Sequence, residues 1–192
     1  MSMTVTRRKD TRTPRVLMHK VADIRGGVSV NTAELGGDYL KEGSVLSAPI
    51  DGICHVIKVA EVVEDVQADQ KTVKVKKGHN FIVNDFALVD ENAVAVKITK
   101  IDDKTSKEYD TLTISEALGA IAIGGAIAEA KEASSASQNK SELKYRPLAI
   151  TGTGKPVEKK TNIDVDAWLI GVTKGNVLPA CVSKCLTGII NY

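Results

Sequence analysis

The run over residues 71–89 constrains this chain more than any other stretch. Val73 and Val75 fall on one side of it, and Thr72, Lys74 and Lys76 on the other. A period of two belongs to a strand with one face buried. Gly78-His79-Asn80 breaks the alternation, Asn84-Asp85 breaks it again, and Phe86 and Leu88 resume it. The order strand, tight turn, short strand, turn, strand predicts a small antiparallel barrel or sandwich.

The flanking sequence reads the same way. Residues 39–46 and 53–60 are apolar runs on either side of Pro49-Ile50-Asp51-Gly52. Asp-Gly between two such runs predicts a hairpin. The second run is apolar on both faces, with Ile53, Ile57 and Val59 on one and Cys54, Val56 and Ala60 on the other. A strand covered on both sides lies inside a sandwich or against another subunit. Val94, Val96 and Ile98 share a face, and Ile101 falls out of phase, which predicts a bulge near Thr99-Lys100. Leu112 and Ile114 point inward from the next strand, so residues 62–114 are expected to supply about five strands of a self-contained small barrel.

Glycines interrupt the Ala-rich segment 115–130, which predicts strand–turn–strand about Gly124-Gly125, with a short helix over 126–133. Residues 131–142 read as a linker. Residues 143–192 form a last β unit, with strands expected over 147–151 and 165–172, a turn at 173–176 and a return starting at Val177. Its apolar end, Ile189, Ile190 and Tyr192, is expected to dock in a core or an interface. Residues 1–30 read as an extended basic arm, and within residues 1–20 Arg7, Arg8, Lys9, Arg12 and Arg15 stand against the single acid Asp10. The fold class is therefore all-β and mainly antiparallel, with small barrel or sandwich units behind an N-terminal arm.

Composition narrows the function. Aromatic residues make up 4% of the chain, so Val, Ile, Leu and Ala must fill its core. The net charge of +2 does not mark a general nucleic-acid binder. No apolar run is long enough to span a bilayer, and no apolar stretch follows the basic start, so neither a membrane segment nor a secretory signal is expected. Three cysteines, an odd count, argue against a disulfide-stapled secreted fold.

No motif points to catalysis. Gly152-Thr-Gly-Lys155 lacks the full phosphate-loop spacing, and Pro156 follows where a helix should begin. Cys181 and Cys185 lie four apart without a second ligand pair of finger-like spacing, so they read as core residues and no metal is expected. Ser115, His79 and Asp85 make a triad only on paper. His79 and Asp85 read as turn residues that bond local backbone. No enzyme activity and no cofactor are expected.

The series over residues 40–46, 52–60, 72–81, 83–86 and 109–114 (Leu-Lys-Glu-Gly-Ser-Val-Leu, Gly-Ile-Cys-His-Val-Ile-Lys-Val-Ala, Thr-Val-Lys-Val-Lys-Lys-Gly-His-Asn-Phe, Val-Asn-Asp-Phe and Tyr-Asp-Thr-Leu-Thr-Ile) resembles the phage head fibre proteins. It spans roughly residues 36–130. The resemblance implies a structural virion protein on the outside of a bacteriophage capsid, a head fibre or decoration protein, standing as a homotrimer with one end on the major capsid protein. The chain shows no heptad stalk, so a compact decoration protein is expected. The arm residues Arg7, Arg8, Lys9, Arg12 and Arg15 become the candidate capsid anchors, and Ile53, Val56, Ile57, Ile189, Ile190 and Tyr192 the candidate subunit interface. A host-surface glycan or protein stays open as a further partner. The alternative is a small-barrel nucleic-acid-binding module with a basic tail, which needs stacking aromatics on a basic face.

Overall fold

The computed structural model describes residues 16–91, 93–134, 141–158 and 161–192. The strands in chain order begin with β1 (Leu17–Asp23), β2 (Val28–Val30), β3 (Tyr39–Leu40), β4 (Val45–Ser47), β5 (Val56–Ile57) and β6 (Val59–Glu61). Next come β7 (Thr72–Lys76), β8 (Phe86–Leu88), β9 (Val96–Asp102), β10 (Tyr109–Ile114) and β11 (Ala126–Ala130). Then follow β12 (Pro147–Thr151), β13 (Lys155–Pro156), β14 (Ile163–Val165), β15 (Ala167–Thr173), the single turn of helix α1 (Ala180–Ser183) and β16 (Ile189–Asn191).

The predicted all-β class holds. One sheet runs β1-β15-β12-β4-β5, with β16 parallel to β15. A second runs β6-β11-β8-β9-β10-β7, and its remaining pairings are antiparallel. Its two outer strands approach at a single bridge, Val62 to Val75, so the sheet curls without closing as a barrel. Val73, Val75, Ala87, Ile98, Leu112, Ile114 and Ile127 fill the concave side.

The hairpin at Asp51-Gly52 forms as its sequence predicts. Both residues hold positive φ, at 51° and 82°, which matches the twist of tight hairpin turns. Val45 and Leu46 pair with Ile57 and Val56 across it. The bulge on β9 is also where the phase break put it. Thr113 pairs with Lys100 and Ile114 with Ile98, leaving Thr99 as the extra residue.

The two-faced apolar run over 53–60 has a topological cause. The chain leaves the first sheet as β5 and enters the second as β6, with Lys58 at the crossing. Ile57 faces the core between the sheets, with Val45, Leu88, Ile150 and Trp168. Val56 belongs to a third core, with Leu40, Leu46, Cys54 and Val165. The short pairs β13–β3 and β14–β2 supply several of that core's residues.

Several expectations change. Residues 81–83 form no strand; Phe81 drops into the core at 3% exposure instead. The helix expected over 126–133 is absent, and β11 stands there with all five residues buried. Burial between two neighbouring strands overrides the helix preference of alanine. Residues 62–114 contribute four strands, and β6 and β11 complete their sheet. A turn and α1 replace the return strand expected from Val177. The units expected at 31–130 and 143–192 do not match the strand order either. Strands from 17–57 share the first sheet with strands from 147–191, while 59–130 builds the second. Within the span 1–30 expected as an arm, residues 17–23 form β1 and 28–30 form β2, and residues 1–15 lie outside the described residues.

Candidate functional site

The sequence candidates separate on the structure. Arg7, Arg8, Lys9, Arg12 and Arg15 lie outside the described residues. Val56 and Ile57 are enclosed by this chain's own cores, which leaves them no surface for a second subunit. Ile53 is half-buried and bridges Ile50 across the hairpin tip. Ile189 packs on the core between the sheets. Ile190 and Tyr192 stand 65% exposed.

Register explains why neighbours at the C-terminus differ. Ile189 pairs with Gly171 and Ile190 with Val172, so their side chains leave the sheet on opposite faces. Ile190, Val172 and His19 form one cross-strand row. Ile170, two residues from Val172 and paired with Ala22, continues that face and is 46% exposed. The Lys174 ammonium sits 5.9 Å from the Tyr192 ring centre at its margin. The outer strand β1 is irregular. Its register slips leave Met18 and Val21 as extra residues, both more than half exposed. Bulges of this kind twist an edge away from further pairing. The sheet face is therefore better suited to a protein contact than its edge.

His79 and Asp85, the two turn residues of the run over 71–89, serve different ends of the fold. The Phe81 N–H donates to His79 Nδ1 at 2.9 Å, so Nε2 carries the ring proton and faces Asp110 Oδ2 at 3.3 Å. Burial holds His79 below its ordinary pKa, against the opposing pull of Asp110 and with help from the Lys41 charge. Lys77 also pairs with Asp110, and the Lys41 ammonium donates to the Lys77 carbonyl. Lys41, Lys77 and His79 border a cleft of about 220 Å³ that Val16, Val177 and Leu178 reach from the first sheet's side. Ser115 accepts from the Lys97 N–H, so Ser115, His79 and Asp85 each have separate partners and form no triad.

Asp85 belongs to a buried ionic cluster that nothing in the sequence motifs marks. Lys58 Nζ lies 2.6 Å from Asp85 Oδ2 and 3.1 Å from Glu129 Oε1. Lys144 Nζ lies 2.9 Å from the same Glu129 oxygen and 3.1 Å from Glu34 Oε2. The Tyr145 hydroxyl donates to Glu34, and the Tyr145 ring stacks on His55 at 4.4 Å. Lys58 and Glu129 are each 1% exposed. Desolvation raises the Glu129 pKa, with Lys58 and Lys144 only partly offsetting it. For Tyr145, burial and then the Glu34 bond push the hydroxyl up to about 12.

The remaining motifs are packed into the fold. Gly152 and Gly154 sit against Trp168 and Tyr39, and Lys155-Pro156 is β13. Cys54 and Cys181 are buried, and burial raises the Cys181 thiol to about 11, whereas Cys185, expected in the core, is exposed just after α1. Among the described residues no group of three or more His, Cys, Asp or Glu side chains is placed to hold a metal ion. No family model, curated protein or solved structure matches this chain.

Proposed function

We propose that the chain is a structural virion protein that attaches to the outside of a bacteriophage capsid, as a compact decoration or head fibre protein, and that it does so as a homotrimer. The observation that carries this reading is the apolar sheet face on which Ile170 and Ile190 are exposed with half-buried Val172 between them and Tyr192 beside them. Soluble proteins seldom leave such a face open unless another surface covers it. The resemblance of residues 36–130 to the head fibre proteins supplies the setting. A two-sheet body in which β1 and β16 flank β15 suits a module whose work is contact area rather than chemistry. The basic residues that precede β1 then serve as the capsid anchor.

Attachment to heads tests the proposal. Purified chain mixed with heads of the phage that encodes it, stripped of the protein, should co-sediment at saturating, countable occupancy. A chain lacking residues 1–15 should keep its fold and lose most of that occupancy. Failure of the full chain to sediment with heads would contradict the proposal.

A further inference from the structure

We propose that Lys58 and Asp85 join through an intramolecular amide bond between Lys58 Nζ and Asp85 Cγ, with Glu129 carrying the protons.

The placement comes from three neighbouring strands. Lys58 and Glu129 lie opposite each other, because the Glu129 N–H donates to the Lys58 carbonyl just beyond the β6–β11 ladder. Glu129 in turn pairs with Ala87 on β8, and Asp85 lies two residues before Ala87, on the same side. The three side chains therefore meet at one end of the second sheet's concave face, next to Ala60, Ala87 and Ile127. Asp85 is fixed in place by the Ile82 N–H, which donates to its Oδ2 at 2.8 Å.

Charge and burial set the chemistry. Around Asp85 and Glu129 the cations are Lys58 and Lys144, and Lys144 is shared with Glu34, whose other oxygen faces His55 Nδ1 at 3.1 Å and the Tyr145 hydroxyl, so at the buried end the carboxylates outnumber the ammonium charge left to them. One proton on a carboxyl balances them. Glu129 is the group for it: Oε1 meets both ammonium groups, while Oε2 is fully buried and has no hydrogen-bond partner. A buried, unpartnered carboxylate oxygen is costly, and a proton there removes the charge. The Lys58 nitrogen and the Asp85 carboxyl are in contact within this enclosed site, 2.6 Å apart at Oδ2.

The step balances within these three residues. Lys58 passes a proton to the Asp85 carboxylate 2.6 Å away, leaving a free amine and a neutral acid. Its nitrogen lone pair attacks Asp85 Cγ, and the new C–N bond forms a tetrahedral centre. Glu129 takes a proton from nitrogen and delivers one to a departing carboxylate oxygen. The C–O bond breaks and water leaves. The ammonium and carboxylate have become one amide and one water, and Glu129 is restored. No oxidant or co-reactant is needed. Reacting atoms already held at contact distance make the step effectively unimolecular. The product removes one buried ion pair and leaves Lys144 to balance Glu34.

Intact mass of the denatured full chain decides the matter. The wild type should be lighter than its sequence by one water. After trypsin, the peptide containing Lys58 should be uncut at that residue and joined to the peptide containing Asp85. Asp85→Ala and Glu129→Gln should both show full mass, with circular dichroism confirming that each variant is folded. A wild type at full mass would overturn the proposal. So would a water loss that survives in Asp85→Ala, or a branch that maps to any other pair.

Discussion

His79 shows how a single residue can look catalytic and be structural. Its ring accepts one backbone N–H and faces one carboxylate, a neutral arrangement that a second ring proton would break. Its folded pKa lies below the ordinary imidazole value of 6.5. As pH falls through that value, the unfolded chain takes up a proton that the folded chain refuses. The His79 contribution is thus fully present above 6.5 and is lost as pH drops toward the folded value. Denaturant titrations should show stability falling from about pH 7 to pH 5, and His79→Gln should flatten that slope. Lys58 makes the second case at this scale. Lys58→Ala removes the link to Asp85, ionic or amide, and leaves Glu129 without one of its two nitrogen partners, and should cost at least about 3–5 kcal/mol by urea unfolding. The local backbone role of His79 was legible from its Gly-His-Asn turn. The burial of Lys58 was not, because one lysine in a β-branched run reads as solvent-facing until the partner strands are known.

At the scale of elements, sequence periodicity located most strands and missed how they partner. The alternation of Val73 and Val75, the Asp51-Gly52 hairpin and the Thr99 bulge are local events, and each has a local signal. The β5-to-β6 crossing has none, since both halves of the run read as one strand. Only the two apolar faces hinted that the run passes between two sheets. β11 was read partly as helix because its alanines favour helix, while neighbours on both edges and cover on both faces make it a strand. Close packing gives a further test here. A Cβ at Gly152 would come within 2.3 Å of Trp168 Nε1 and 2.4 Å of Asp166 Oδ2, atoms that bond each other. Gly152→Ala should therefore lower stability by about 1–3 kcal/mol, read from thermal unfolding followed by Trp168 fluorescence.

For the whole molecule, the sequence indicated contact surfaces but could not sort candidate interface residues by accessibility. Val56 and Ile57 look as apolar as Ile190, yet the first two complete the chain's own cores. Accessibility depends on where the first sheet ends, which the pairing of residues a hundred or more apart decides. Ile190→Asp places a charge on the open face without touching either core. It should leave unfolding stability within about 0.5 kcal/mol of wild type while dissociating the proposed trimer. The mass of the purified chain in solution tests the account most directly. Light scattering should return three times the chain mass of 20.5 kDa, and Ile190→Asp should return that mass once. A wild-type chain that stays at 20.5 kDa across concentration would contradict a trimeric decoration protein.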